Sequence, residues 1–523
     1  MTITRFAPDG AVAAASHLAA AAGLEMLHRG GNAADATIAA AAAMAVTAPH
    51  MCGLGGDMFC LVVTDGTEPA ALNASGRAGS GADPERMRAE GRSDMPFTRD
   101  VRSVTVPGFV DGLVALHERS GTLPLAELLA PARRLADGGF PVSPTLAEAS
   151  GELAAPERML AFGQPDPLER GSRVVARGVS EALRAIGAHG RAGFYGGAVG
   201  AELLAAGGGE FTAHDLSVSQ ADWVTPLQLR AFHRSLWAVP PNSQGYLALA
   251  GAWIAEHAGL PDDPDDERWA FLLVEAARQA AFDRPAVLHE HADGTDLIAE
   301  SRLRPRSLAV TDHANSGLAD VYSGGGTTYL CAADSQRMGV SLIMSNAADF
   351  GSRLILPRHG IFLHNRGMGF SLESGHPAEY GPGRRPPHTL IPMAVTGAGG
   401  QLDTLLGSMG GDAQPQILLQ LLVRMLRHGQ DPGAAVSAPR WVLSREPTTA
   451  FDTWRAEGPP LVRIEHDSPR AWRQGLESRG YEVMASPPGD QAFGHAHVIR
   501  VMPDGMLAGA ADPRTADGAV AGR

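Results

Sequence analysis

The chain has 523 residues, with 43 Lys and Arg against 57 Asp and Glu and a formal net charge of −14, which excludes a general nucleic-acid surface because phosphate binding needs a basic footprint. Hydrophobic residues make up 44% and charged residues 19%, so the chain is neither disordered nor supercharged, and its length allows a sizeable core in two to four domains. With 63 glycines and 37 prolines, tight turns are expected rather than long bundles or coiled coils.

Residues 1–10 hold no apolar run after their one arginine, so no secretory signal is expected. Leu18, Leu24 and Leu27 share one face of a predicted helix over 13–29, which Gly30 and Gly31 stop. Asn32 reads as the N-cap of the next helix, 33–46, with Asp35 near its positive end. That helix is almost all alanine, so it suits close packing against a sheet and is too short and weakly apolar to span a bilayer. Gly53-Leu54-Gly55-Gly56-Asp57 precedes a buried strand over 58–63 and lacks both the following helix and the Lys-Ser/Thr of a phosphate loop. The middle is helix-rich, with helices over 125–138 and 180–186, a cap at Thr212 and a short strand over 236–239. Residues 261–266 form a solvated acidic loop.

From Ser323 the character changes. Ser323-Gly324-Gly325-Gly326 is a flexible entry to a strand over 327–333, and a turn over 334–339 returns the chain as a second strand over 340–344. Strands over 390–395 and 402–406 and a helix over 416–427 follow. Paired strands with segregated helices give an α+β layered fold rather than a βαβ repeat. Cys52, Cys60 and Cys331 form no CxxC pair, so no disulfide framework or thiolate metal site is expected, and the expected setting is the reducing cytoplasm; no cofactor is expected.

HExxH, GxSxG and the kinase motifs do not occur. The informative feature is a run of three glycines before Thr327 and Thr328. A threonine hydroxyl is a poor nucleophile until an adjacent amine takes its proton, and a cut before Thr327 supplies that amine from the same residue. Glycines 324–326 permit the strained turn of an N-to-O acyl shift, and the same run also reads as an ordinary loop entering a β-branched strand.

Several motifs then fall in a telling order: Gly30-Gly31-Asn32-Ala33-Ala34-Asp35-Ala36, Gly53-Leu54-Gly55-Gly56-Asp57, Asn73-Ala74-Ser75-Gly76-Arg77, Val106-Pro107-Gly108 and Gly121-Thr122-Leu123-Pro124. Pro240-Pro241-Asn242-Ser243-Gln244-Gly245, Thr327-Thr328, His364-Asn365-Arg366-Gly367, Gly410-Gly411-Asp412 and Asp512-Pro513-Arg514 complete the series. The set resembles the γ-glutamyltranspeptidases over roughly residues 8–516. The resemblance implies an N-terminal-nucleophile (Ntn) hydrolase fold, a four-layer αββα sandwich. It also implies self-cleavage between Gly326 and Thr327 into a large subunit, 1–326, and a small subunit, 327–523, which together form one catalytic unit. The expected assembly is a dimer of such heterodimers, with no nucleic acid or membrane among its partners.

By the same resemblance Thr327 is the nucleophile and its freed amine the base, and Thr328 and Ser345 hydrogen-bond around it. Gly410 and Gly411 are the oxyanion-hole glycines, and Arg77 is the clamp for a substrate carboxylate. Asn365, Arg366, His388 and Thr389 fall in the substrate-binding segments. The departures concern specificity. The acid that holds a γ-glutamyl ammonium is replaced by Gly369, a glutamine by Arg366, an asparagine by Ala347, with Asn346 or Asp349 as substitutes, and paired serines by His388-Thr389. The short segment 373–385 leaves out a lid loop. This pattern resembles the branch that includes oxamate amidohydrolases and acylases.

The expected chemistry is amide hydrolysis through an acyl-enzyme released to water or an amine acceptor, with γ-glutamyl compounds such as glutathione as the family default. The alternatives are an oxamate-type amidohydrolase or acylase, and, from another class, an uncleaved, silent binding homologue. His495-Ala496-His497 reads as strand packing rather than a metal pair, Arg384-Arg385 as a turn bracing the pocket, and Cys331 as core.

Overall fold

The computed structural model describes residues 3–315, 326–444 and 461–523. Two seven-stranded sheets stack face to face. The first runs, edge to edge, Ala519–Gly522, Gly10–Ala14, Gly326–Asp334, Gly339–Ala347, Asp57–Val63, Ala70–Ala74 and Asp222–Val224, all antiparallel. The second runs Arg5–Ala7, Leu507–Ala511, Ala496–Val501, Leu402–Ser408, Met393–Thr396, Arg234–Ala238 and Leu227–Ala231, also antiparallel.

Side-chain alternation along the strands builds the layers. Tyr329, Cys331 and Ala333 point inward and meet Leu405, Ala394 and Ile499 between the sheets. Leu330, Ala332, Leu342 and Met344 point outward and pack on the helices His17–His28 and Ala33–Thr47. On the far side, Leu236, Val395, Leu406 and Val498 pack on Gly245–His257, Glu267–Ala281 and Gln414–Leu422. The result is the αββα sandwich, in which each fully buried Leu or Met contributes about 1.5–3 kcal/mol. Packing between the sheets is tight: Tyr329 lies over Gly407, where a Cβ would come within 2.2 Å of the ring.

Several expectations hold locally. Asn32 caps Ala33–Thr47 with a reciprocal pair of 3.0 Å bonds to Asp35, and all of that helix is buried. Its alanines let a neighbouring helix approach so closely that a Cβ on Gly23 would lie 2.9 Å from the Ala36 carbonyl oxygen. Others shift. The expected 13–29 helix starts at His17, because Gly10–Ala14 pairs with the Gly326–Asp334 strand and sheet pairing outweighs alanine's helix propensity. The expected 125–138 helix divides into Leu125–Leu128 and Ala130–Gly138, since Pro131 supplies no N–H and suits a first turn. The expected 390–395 strand begins at Met393, after Pro392, which cannot donate to a ladder. Residues 323–325 of the glycine run lie outside the described residues. Among the described residues no helix is long and apolar enough to cross a membrane.

Candidate active site

Gly326–Asp334 and Gly339–Ala347 form one hairpin, and its register shifts at the open end. Gly326 faces Ala347 and Thr328 faces Met344, so Ser345 and Asn346 together oppose Thr327 alone. This β-bulge re-aims the side chains beside it. Thr327 Oγ1 lies 3.0 Å from Ser345 Oγ, and Ser345 Oγ is 2.6 Å from the Gly326 carbonyl oxygen and 2.7 Å from the Ala347 nitrogen. A carbonyl only accepts, so the single Ser345 hydroxyl hydrogen goes to Gly326 and the Thr327 hydroxyl donates to Ser345. The Thr327 hydroxyl proton and the Gly326 carbonyl therefore meet at one serine. The strand Gly326–Asp334 is continuous through Gly326–Thr327.

Thr328 does not join the cluster as the resemblance implied. Strand alternation turns it, like Leu330, toward the helices, and its buried hydroxyl has no hydrogen-bond partner among the described residues. Arg366 does join. It is 2% exposed, with Nη2 3.4 Å from Ser345 Oγ and Nη1 3.3 Å from Thr389 Oγ1. Burial lowers its guanidinium to about 10, against the pull of Asp57 and Asp412, so it stays cationic at neutral pH.

His388 Nε2 lies 3.4 Å from Asp57 Oδ2. Burial, and then the Arg366 charge, lower this imidazole to about 3, so it is neutral at pH 7. Asp57, 1% exposed, also accepts the N–H groups of Gly76 and Gly108 at 3.0 and 3.1 Å and lies 3.4 Å from His364 Nδ1. Burial pushes its carboxyl up, but His364, His388 and Arg366 outweigh that and hold it below the ordinary carboxylate range.

The Gly410–Gly411 turn needs glycine at both positions. Their φ angles are 141° and 53°, and a Cβ on Gly410 would meet Ile417 Cδ1 at 2.9 Å. Gln244, which sequence reasoning gave no role, ties this turn to the His388-Thr389 segment: its Nε2 donates to the carbonyls of Thr389 at 3.0 Å and Gly411 at 3.2 Å.

A cavity of about 940 Å³ is lined by Arg366, Thr389, Asp412, Gly369 and the apolar Met368 and Phe370, among others, and meets the Thr327 cluster through Arg366; Thr327, Ser345, His388, Gly410 and Gly411 do not line it. Arg77 is not among its lining residues. Its guanidinium instead donates to Asp222 at 2.6 Å and to the Ser219 carbonyl at 3.2 Å, and Arg385 shares Asp222 at 2.8 Å. Asn365 engages backbone rather than the cavity, accepting from Ala348 N–H at 3.0 Å and donating to the Phe97 carbonyl at 2.9 Å. Asn346 likewise turns away, with Nδ2 donating to the Pro49 carbonyl at 3.0 Å. Arg384 braces the turn through Glu290 at 3.1 Å and the Glu379 carbonyl at 2.9 Å. His497 packs within its strand, where Nδ1 accepts the Asp512 N–H at 3.3 Å, and among the described residues no group of three His, Cys, Asp or Glu could hold a metal. Asp57 and Gln244 are site-building residues the sequence left unassigned; the signal was their place in two of the ordered motifs.

Comparison with known proteins identifies the family of the chain. The family model described as gamma-glutamyltranspeptidase matches residues 19–522. The chain is 34% identical to an oxamate amidohydrolase proenzyme of Klebsiella pneumoniae, over 98% of each protein. It is 35% identical to a glutathione hydrolase-like proenzyme of Bacillus subtilis, over 97% of each. A cephalosporin acylase from Bacillus halodurans superposes with a TM-score of 0.89 at 32% identity, over 100% of this chain and 97% of that one. With its αββα sandwich and a threonine hydroxyl set beside a serine at the head of an inner strand, the chain is an Ntn-type hydrolase and belongs to the γ-glutamyltranspeptidase family.

Proposed function

We propose a self-processing amidohydrolase that cleaves itself between Gly326 and Thr327 and then hydrolyses amides whose acyl part carries a carboxylate close to the scissile carbonyl. One observation carries the substrate reading: the buried Arg366 cation lines the cavity and stands two hydrogen-bond lengths from Thr327, through Ser345. A carboxylate held by Arg366 lies next to the carbonyl under attack, as in an oxamate, and not three carbons away, as in a γ-glutamyl group. Gly369, where γ-glutamyl enzymes carry an acid, offers an ammonium no counter-charge, and the nearby Asp412 carboxylate lies 3.4 Å from Arg284.

Thr327 attacks the amide carbonyl, its freed amine takes the hydroxyl proton, and the Gly410 and Gly411 N–H groups stabilise the oxyanion. Ammonia or an amine leaves, and water releases the acid. The positions of Thr327, Ser345 and the Gly410–Gly411 turn favour this enzyme over a silent binding homologue. The oxamate amidohydrolase relative supports the small carboxylated acyl group.

A second reading rests on size. The cavity of about 940 Å³ far exceeds what oxamate fills, and Met95, Phe97, Phe370 and Leu372 give it an apolar wall. A bulky N-substituent or acyl group fits there, as the acylase relatives suggest. Turnover of oxamate, an N-aryl oxamate, a glutaryl anilide and a γ-glutamyl anilide, compared side by side, tests both readings; preference for the γ-glutamyl anilide overturns the Arg366 assignment. The free, buried cysteines fit a reducing cytoplasm, which cell fractionation checks.

A further inference from the structure

Asp349 follows the nucleophile's partner strand in a turn where Ala347 and Phe350 both hold positive φ, 75° and 56°. Asn365 Oδ1 pins the turn through the Ala348 N–H, and the Gly351 N–H donates back to the Ala348 carbonyl at 2.8 Å. So held, Asp349 lies against the residue that the proposed cleavage divides from Thr327. A Cβ built on Gly326 would sit 2.7 Å from Asp349 Oδ1 and 3.2 Å from the Ala348 carbonyl. No side chain fits between them, which explains the need for glycine at 326 independently of chain flexibility. The Gly326 carbonyl oxygen meanwhile accepts the Ser345 hydroxyl.

Resting on the reading that Gly326–Thr327 is the cleavage site, we propose that Asp349 is the general base for the second half of self-cleavage, activating the water that hydrolyses the Gly326–Thr327 ester. In the first half Thr327 Oγ1 bonds to the Gly326 carbonyl carbon, the C–N bond breaks, and the hydroxyl proton passes to the Thr327 nitrogen. In the second half water bonds to the same carbon and gives one proton to Asp349. The C–O bond to Thr327 breaks, Thr327 Oγ1 takes that proton from Asp349, and Gly326 ends as a carboxylate once water's second proton has passed to solvent. Ser345 is already committed to the Gly326 carbonyl and to Thr327, so it is not placed to hold the water. Asp349 is exposed to solvent and able to receive it.

Desolvation by the packed turn pushes the Asp349 carboxyl up to about 6; Glu152 and Glu148 add to the rise and Arg353, itself paired with Glu152 at 2.9 Å, opposes it. A carboxylate base acts only when ionised, so ester hydrolysis slows below about pH 6 while the acyl shift does not need Asp349.

The experiment follows maturation of freshly made wild type, D349N, D349E and T327A by denaturing gel and intact mass from pH 5 to 8, with and without a hydroxylamine quench. D349N is expected to mature at least about tenfold more slowly and to accumulate full-length protein that hydroxylamine splits between 326 and 327. Wild type is expected to show the same species below pH 6, D349E to recover part of the rate, and T327A never to split. D349N maturing at the wild-type rate overturns the proposal, as does a D349N precursor that hydroxylamine cannot split, since the block then precedes the ester. Wild type that acquires no Thr327 N-terminus sinks the cleavage-site reading itself, a result distinct from either.

Discussion

Ser345 and Thr327 face each other across a bulge with hydroxyl oxygens 3.0 Å apart, and the same serine hydroxyl holds the Gly326 carbonyl at 2.6 Å. On the proposed cleavage at Gly326–Thr327, that bond polarises the carbonyl to be attacked. Ser345→Ala is expected to slow self-cleavage by about 10²–10³-fold, the usual effect of removing one preorganised donor. Thr327→Ala is expected to abolish both cleavage and turnover. A gel time course reads both, and retained activity in T327A contradicts the assignment.

Arg366 and Arg77 separate by partner. Arg366 lines the cavity beside Thr389, whereas Arg77 is bound to Asp222 and Ser219. Arg366→Gln is expected to lower kcat/KM for oxamate by about 10–150-fold, the range for losing a hydrogen bond to a charged group. Arg77→Ala is expected to change the KM for oxamate less than Arg366→Gln does. Steady-state kinetics on both variants decides, and the reverse order would return the carboxylate clamp to Arg77.

Gln244 joins the Thr389 and Gly411 carbonyls. Gln244→Ala leaves two buried acceptors without this partner and loosens the turn that presents the Gly410 and Gly411 N–H groups. A loss of about 1–3 kcal/mol in stability is expected, with kcat falling more than KM rises. Thermal melts together with initial rates check it; an unchanged kcat would free the turn from Gln244.

Acid stability follows from four buried imidazoles. Burial lowers His50, His388 and His497 to about 3 and His495 to about 4. Their folded values lie below the unfolded value of about 6.5, so at lower pH the unfolded chain binds the extra protons. Stability is therefore full above about pH 6.5 and falls as pH drops toward 3–4, each histidine contributing up to about 1.4 kcal/mol per pH unit. Urea titrations between pH 4 and 8 measure the slope, and His497→Gln is expected to flatten it. A pH-independent midpoint would show that these rings are not held neutral.

The sequence alone sufficed for what depends on near neighbours and on motif order. Asn32 and Asp35 cap their helix from three residues apart, and Thr212 caps Ala213–Ser217 in the same way. The hairpin around residues 334–339 follows from a polar turn between two apolar runs, and the ordered glycine motifs carried the family and its αββα sandwich. Tertiary structure decided the rest. The bulge at Thr327 depends on strand register, which no local propensity encodes. Arg77 meets Asp222 across 145 positions and His388 meets Asp57 across 331. Asn365 turned out to brace the Ala348 turn, and Asp349 to cover Gly326. Capping and alternation act over a few residues and leave a periodic trace. A buried charge finds its partner only once folding has removed water from both, and that partner can come from anywhere in the chain.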